Sequence, residues 1–147
     1  MKRCLMIDRQ KAESLIERIE KYYSILAEFK KLTLEEYLKD IKTVYSSRYL
    51  IQVCVESCIN LSNHIIASDK MGVPSEYADT FRILCKNNLI DEKLTAQLIN
   101  MTRFRNRLVH LYWDIDDEFV FEIINNNLED INAFVKSIKQ YLKLLKL

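Results

Sequence analysis

Apolar side chains recur every three or four residues along most of the chain, a period that predicts α-helices rather than strands. We expect a first helix from about Asp8 to Lys31, with Asp8 as its N-cap. Thr33 and Glu36 have the spacing of a capping box, which predicts that a second helix begins there and continues to about Ser68. The first half of the chain is therefore expected to contain two long helices.

The second half of the chain follows the one strong break in this pattern, Gly72-Val73-Pro74-Ser75. A short helix is predicted next, with apolar residues at several positions between Tyr77 and Cys85 and an end near Asn88. Asp91 can cap the long helix that follows it. A last helix is predicted to carry the apolar residues from Val120 to Leu145. Their spacing is close to heptad, so this seam can pack inside the bundle or against a second copy.

The chain has 147 residues with one glycine and one proline, too few turn residues for a sheet protein. We predict one all-α domain over residues 1–147, an up-and-down bundle of four long helices plus one short helix.

The formal net charge is +1, so attraction to nucleic acid must come from a local patch. No apolar run approaches the roughly 18 residues that cross a bilayer, and the N-terminal apolar stretch is too short for a signal peptide. We expect a cytoplasmic protein without a membrane partner.

Four cysteines are present, and two of them, Cys54 and Cys58, would share one face of a helix. On an ideal helix His64 lies about 80° from Cys54 and about 120° from Cys58, which is poor geometry for a zinc site. We expect reduced cysteines in the core, no metal ion and no cofactor.

Arg48 occupies a position in the apolar stripe of the second helix where a hydrophobic residue is expected. One interpretation is an aliphatic stem packed on the bundle, with the charge paired to a residue such as Glu56. The other interpretation is that the stripe faces a polar site or a partner chain at this point. Both remain open from the sequence alone.

The segment Arg103–Asp114, RFRNRLVHLYWD, has the densest set of reactive side chains. On an ideal helix Asn106 and His110 share the polar side, whereas Arg105 and Tyr112 align within the apolar face. Arg105 and His110 diverge by about 140°, so they converge only if the helix distorts, if long side chains reach round, or if two protomers share the site.

The chemistry available to this segment is proton transfer by His110 and stabilisation of a phosphate by arginine. Tyr112 and Trp113 can stack on bases. Together these groups favour metal-independent cleavage of RNA, in which a ribose 2′-OH attacks the adjacent phosphate. A purely structural helix is the alternative, and arginines within two apolar stripes disfavour it.

The residues Arg105-Asn106-Arg107-Leu108-Val109-His110-Leu111-Tyr112 resemble the R-N-x-x-x-H-x-Y signature of HEPN-domain proteins in their HepT toxin form. Similar residues extend over nearly the whole chain, and those beyond the signature are Phe104, 61–66, 77–84 and 89–91.

The resemblance implies a homodimeric helical bundle and an RNase toxin, neutralised by a small MNT-type nucleotidyltransferase antitoxin. By position, Arg105 and His110 would be the catalytic pair, Asn106 would assist them, and Tyr112 would receive AMP from the antitoxin. Because the chain is nearly neutral overall, an RNA groove would have to be formed by four arginines, Arg48, Arg103, Arg105 and Arg107. The alternative is a non-catalytic HEPN binding or scaffold module that docks a nucleotidyltransferase or binds nucleotide.

Overall fold

The helices of the computed structural model, which describes residues 7–145, pack around one long central helix, α3. Within those residues there is no β-strand, so the prediction of an all-α fold is confirmed. The helices are α1 Arg9–Glu28, α2 Leu34–Lys39, α3 Ile41–Ser68, α4 Tyr77–Lys86, α5 Glu92–His110, α6 Asp117–Asn126 and α7 Leu128–Leu144. Two 3-10 turns accompany them, Phe29–Lys31 and Tyr112–Asp114.

The predicted starts of the first two helices are confirmed, because each depends on a local side-chain cap. Asp8 accepts a hydrogen bond from the backbone N–H of Lys11 at 3.1 Å and so caps α1. Thr33 and Glu36 form the reciprocal capping box at the start of α2, with bonds of 3.1 and 2.9 Å.

The predicted continuous helix from Thr33 to Ser68 is wrong, because the chain leaves the helical conformation at Asp40. Asp40 is extended, with φ −102° and ψ 97°. Its carboxylate accepts hydrogen bonds from the Lys42 backbone N–H at 3.1 Å and from the Thr43 hydroxyl at 2.8 Å. These local bonds compete with the helical ladder and start α3 as a separate helix.

The predicted last helix is also divided, at Asn127, into α6 and α7. Asn127 ends a run of three asparagines, which are weaker helix formers than the residues around them. The apolar residues on both sides of the break, Val120, Ile124, Leu128 and Ile131, are buried in the core. This part of the seam therefore packs inside the bundle and offers no surface for a second copy.

Helix α3 contacts α1, α2, α4, α5 and α6, and it contributes more buried residues than any other described helix. By length and composition alone it could cross a membrane, but 56% of its most apolar window is buried inside the bundle, as in the core helix of a soluble protein. Cys54 and Cys58 are buried in this core, as predicted, and Cys4 lies outside the described residues. A hydrogen bond with Cys54, together with burial, raises the pKa of the Cys58 thiol, which keeps it protonated.

Candidate active site

Helix α5 presents the reactive segment on a rigid element. Asp91 accepts a hydrogen bond from the Leu94 backbone N–H at 2.7 Å and caps the start of α5, as predicted. Phe104 and Leu108 are buried and fix the rotation of the helix about its axis. The helix is continuous to His110, so we find no distortion that would turn Arg105 and His110 toward each other.

Arg105 is held from three sides. Its Nε and Nη2 donate to one carboxylate oxygen of Glu56, at 3.1 and 2.6 Å, and its Nη1 donates to the Asn106 side-chain oxygen at 3.0 Å. The ring of Tyr77 lies beside the guanidinium, with 5.3 Å between the guanidinium carbon and the ring centroid. The Arg105 side chain is 14% exposed. A charge in this position is stable because Glu56 compensates it.

Glu56 is the partner of Arg105, whereas the sequence suggests it as a partner for Arg48. It lies on α3, and Gln52 also donates to its Oε1 at 3.3 Å. The signal that could have identified it is that Glu56 is the one acidic residue of α3, a largely buried helix in which an unpaired charge is costly.

His110 lies exposed at the last residue of α5. Within the described part of the chain its side chain has no hydrogen-bond partner. Asn106 can converge with His110 by spacing, but its side-chain oxygen bonds Arg105 instead. Within one protomer, the Arg105 guanidinium and the His110 imidazole therefore do not converge.

Tyr112 is not part of α5, so the predicted alignment of Tyr112 with Arg105 on one apolar face is wrong. The helix ends at His110 because the chain passes through Leu111, with φ −130° and ψ 37°, into the 3-10 turn Tyr112–Asp114. Tyr112 is 63% exposed and Trp113 is 70% exposed. Their rings meet edge to face, with 5.3 Å between the centroids.

Arg48 pairs with Asp117, and not with Glu56. Its Nε and Nη2 donate to Asp117 Oδ1 at 2.8 and 2.5 Å. It also donates to two backbone carbonyls of the same segment, Tyr112 at 3.1 Å and Ile115 at 3.4 Å. Arg48 therefore anchors the turn that carries Tyr112.

Arg103 and Arg107 are exposed on the polar side of α5, where the helical spacing had placed them. Arg103 donates to Asn100 at 3.5 Å, and Arg107 donates to the backbone carbonyl of Asp114 at 3.3 Å. Both guanidinium groups keep unused donors at the surface, so both are available to a phosphate.

These observations define a class of protein: a helical bundle in which one helix carries a fixed guanidinium and, one and a half turns later, an exposed imidazole. Such a pair can stabilise a phosphate and exchange a proton. The model of the ribonuclease HepT-like family matches residues 14–138, so the chain belongs to that family. The resemblance to HepT toxins is thereby confirmed.

Two relatives and one solved structure are similar over most of the chain. The mRNA nuclease HepT of Shewanella oneidensis is 33% identical over 125 residues, which cover 84% of this chain and 87% of the relative. The tRNA nuclease HepT of Aphanizomenon flos-aquae is 30% identical over 130 residues, 88% of each. A tri-AMPylated HEPN toxin of Shewanella oneidensis, solved in complex with MNT antitoxin, superposes with a TM-score of 0.83 at 27% identity, covering 90% of this chain and 99% of that one.

Proposed function

We propose that this protein is an endoribonuclease toxin of a toxin–antitoxin module and acts in the cytoplasm. Its relatives are named as nucleases of mRNA and of tRNA, which supports RNA as the substrate. The observation that carries the proposal is the fixed guanidinium of Arg105 on the helix that ends in the exposed His110.

In the proposed reaction the ribose 2′-oxygen forms a bond to the adjacent phosphorus and the bond from phosphorus to the 5′-oxygen breaks. His110 accepts the proton of the 2′-OH and returns a proton to the departing 5′-oxygen, which leaves a 2′,3′-cyclic phosphate and a 5′-hydroxyl. No step needs a metal ion. Arg105 stabilises the negative charge on the phosphate oxygens, with Asn106 and Glu56 holding its guanidinium in place.

Arg105 can bind a phosphate without leaving Glu56. A guanidinium has five N–H donors, and three of those of Arg105 are used within the described residues, at Nε, Nη1 and Nη2. One donor remains on each terminal nitrogen. Two adjacent donors are the arrangement that binds a phosphate in a bidentate manner.

We also propose that the active protein is a homodimer with a cleft formed by both copies, since about 140° separates Arg105 from His110 on one continuous helix. Exposed aromatic residues support this proposal. Tyr45 and Tyr49 are exposed on α3, the Tyr45 ring lies against Arg48, and Arg48 bonds the turn of Tyr112 and Trp113. An aromatic surface of this kind is typical of an interface. Sedimentation at micromolar concentration should show a dimer, and a stable monomer would remove the shared cleft.

The proposed partner is an MNT-type nucleotidyltransferase antitoxin, and the proposed acceptor of AMP is the exposed hydroxyl of Tyr112. The support is the similar HEPN toxin, which is tri-AMPylated and in complex with MNT antitoxin. Phosphodiester charge and a nucleoside two residues beyond His110 would repel and obstruct RNA. Mass spectrometry of Tyr112 after co-expression should find added AMP, and unmodified peptide beside an active nucleotidyltransferase would contradict the assignment.

The nuclease activity can be tested with protein purified without a nucleotidyltransferase. It should cut RNA in the presence of EDTA, and His110→Ala should abolish cleavage. The matched control is His64→Ala, which removes the second of the two histidines, on α3, where it accepts a bond from the Asp8 backbone N–H at 3.1 Å. Equal cleavage by the His110→Ala protein would show that the assignment is wrong.

A non-catalytic binding module is the second candidate function, and one observation favours it. Glu56 neutralises Arg105, which reduces the attraction of that guanidinium for a phosphate. In this case the protein would bind RNA or nucleotide, and His110→Ala would leave binding unchanged while no preparation cleaves RNA.

A further inference from the structure

A concave site lies beside Arg105, between the start of α4 and the middle of α5. Its volume is about 360 Å³, and its lining comes from the start of α4 and the residues before it and from α5: Ser75, Glu76, Tyr77, Ala78, Ile99, Thr102, Arg103 and Asn106. Arg103 and Asn106 have roles in phosphate binding above, but none of those roles uses the cavity itself.

Two of its lining residues also contact the guanidinium of Arg105. Asn106 bonds Nη1 at 3.0 Å, and the Tyr77 ring lies beside the guanidinium carbon. The cavity is therefore contiguous with the phosphate-binding donors. It also lies on the face of α5 that carries His110, since Ile99 and His110, eleven residues apart, differ by only about 20° in direction. Asn106, which lines the cavity, lies about one helical turn from His110 on this face.

We propose that this cavity binds the nucleobase next to the cleaved phosphodiester and so determines which RNA sequence is cut. This inference rests on the proposed ribonuclease function. The lining has the chemistry that a base requires: an aromatic ring from Tyr77, apolar contact from Ile99, and polar groups for the base edges.

The polar groups have unused capacity. The Asn106 amide nitrogen makes no hydrogen bond within the described residues, so it can donate to a base carbonyl or ring nitrogen. The Glu76 carboxylate is exposed and pairs with Arg82 at a long 3.4 Å, so it can accept from an exocyclic amino group. Arg103 at the rim can contact the flanking phosphate. An amino-bearing base fits this set better than uracil does, because uracil has no exocyclic amino group.

The test fills the cavity with Ala78→Phe, and Ala96→Phe is the matched control. Ala96 lies on α5 at a neighbouring groove outside the cavity. Cleavage of a randomised RNA would be mapped by sequencing the 5′-hydroxyl ends. Wild type and Ala96→Phe should share a preference at one position beside the cut. Ala78→Phe should lose that preference and raise KM about tenfold with little change in kcat, the effect of losing one stacked base.

A second variant covers the case in which Ala78→Phe does not fold. Glu76 is exposed, so its substitution should leave the fold intact. Glu76→Gln should reduce discrimination between amino-bearing bases and uracil about tenfold, because it removes the charged acceptor. An unchanged preference and KM in both folded variants would overturn the inference, as would a wild type that cuts without preference.

Binding separates the failure of this inference from that of the nuclease proposal. In a His110→Ala background, a fluorescent single-stranded RNA hexamer should bind about tenfold more weakly when Ala78→Phe is added. If wild type never cleaves but this difference appears, the nuclease proposal fails and the base site stands. If wild type cleaves and the difference is missing, the base site fails alone.

Discussion

The two ends of the reactive segment on α5 are held in opposite ways. At one end, the Arg105 side chain is enclosed by Glu56, Asn106 and Tyr77. At the other end, the His110 side chain is exposed, and the Tyr112 turn beyond it is anchored through backbone carbonyls, which leaves the tyrosine ring exposed. The Arg105 end is the first end, or fixed end, because its side chain is held in place. The His110–Tyr112 end is the second end, where the backbone is held and the side chains are exposed.

The difference matches the roles that we propose for these groups. A guanidinium that stabilises a transition state must be oriented before the reaction, because orienting it during the reaction would consume the stabilisation it provides. An imidazole that exchanges protons needs access to substrate, and a tyrosine that receives AMP must enter the active site of another protein. In this fold α3 supplies both arrangements, with Glu56 for the first end and Arg48 for the second.

Among changes at the Arg105 end, the largest expected effect comes from Arg105→Lys, which tests whether the orientation of the guanidinium or its charge alone matters. Lysine keeps the charge but cannot bond Glu56, Asn106 and a phosphate with one planar group. We expect kcat to fall about 100- to 1,000-fold, with a smaller change in KM, in steady-state cleavage of a fluorogenic RNA. Arg103→Lys on the same helix is the control. Comparable activity of the two variants would contradict a requirement for the oriented guanidinium of Arg105.

Glu56→Gln tests the same end through the partner. The amide keeps one acceptor oxygen but not its charge, so we expect activity to fall about tenfold and the free energy of unfolding to fall by about 1–2 kcal/mol, below the cost of breaking a fully buried pair. Urea unfolding measures the stability. Glu20→Gln, which removes the charge from an exposed pair with Lys139, should change the stability by less than about 0.5 kcal/mol. Equal losses in the two variants would show that the Arg105 pair behaves as a surface pair.

The elements that could be predicted from sequence are those that depend on neighbours along the chain. The caps at Asp8, Thr33 and Asp91 are satisfied within three residues, and helical spacing placed Arg103 and Arg107 on the polar side of α5. The helix breaks at Asp40 and Asn127 were missed because the apolar period continues through both of them.

The contacts that organise the site could not be predicted in the same way. Glu56 bonds Arg105 across 49 residues, and Arg48 bonds Asp117 across 69. Each arginine could be recognised as requiring a partner, since both lie in apolar stripes. The identity of the partner depends on how α3 packs against α5 and α6, which helical periodicity does not specify.

Asp117→Asn tests whether the second end is independent of the first. Loss of the ion pair leaves Arg48 only the weaker carbonyl contacts, so the Tyr112 turn should exchange amide hydrogens faster, by about three- to tenfold. The amides around Arg105 should be unaffected. Hydrogen exchange read by mass spectrometry resolves the two segments. Faster exchange at both ends would show that they form one cooperative unit.

The smallest effect concerns the loop that leads to Tyr77 at the fixed end. The Asp79 carboxylate accepts hydrogen bonds from the Ser75 hydroxyl, from the Ser75 backbone N–H at 3.1 Å and from Arg82 at 2.9 Å. The Ser75 hydroxyl bond, followed by the other contacts, lowers the pKa of Asp79 below its ordinary value of 3.8.

Because the folded pKa of Asp79 is depressed, its contribution to stability is complete above pH 3.8 and disappears as the pH falls through the folded value. Wild type should therefore have a slightly higher Tm than Asp79→Asn at pH 5–7, and the two should converge in acid. Thermal unfolding followed by circular dichroism across this range measures the difference. A difference in Tm that persists at the lowest pH would mean that asparagine disturbs the loop through its shape and not through its lost charge. If the difference disappears and kcat at neutral pH is unchanged, Glu56 and Asn106 suffice to hold Arg105 without a rigid Tyr77 loop.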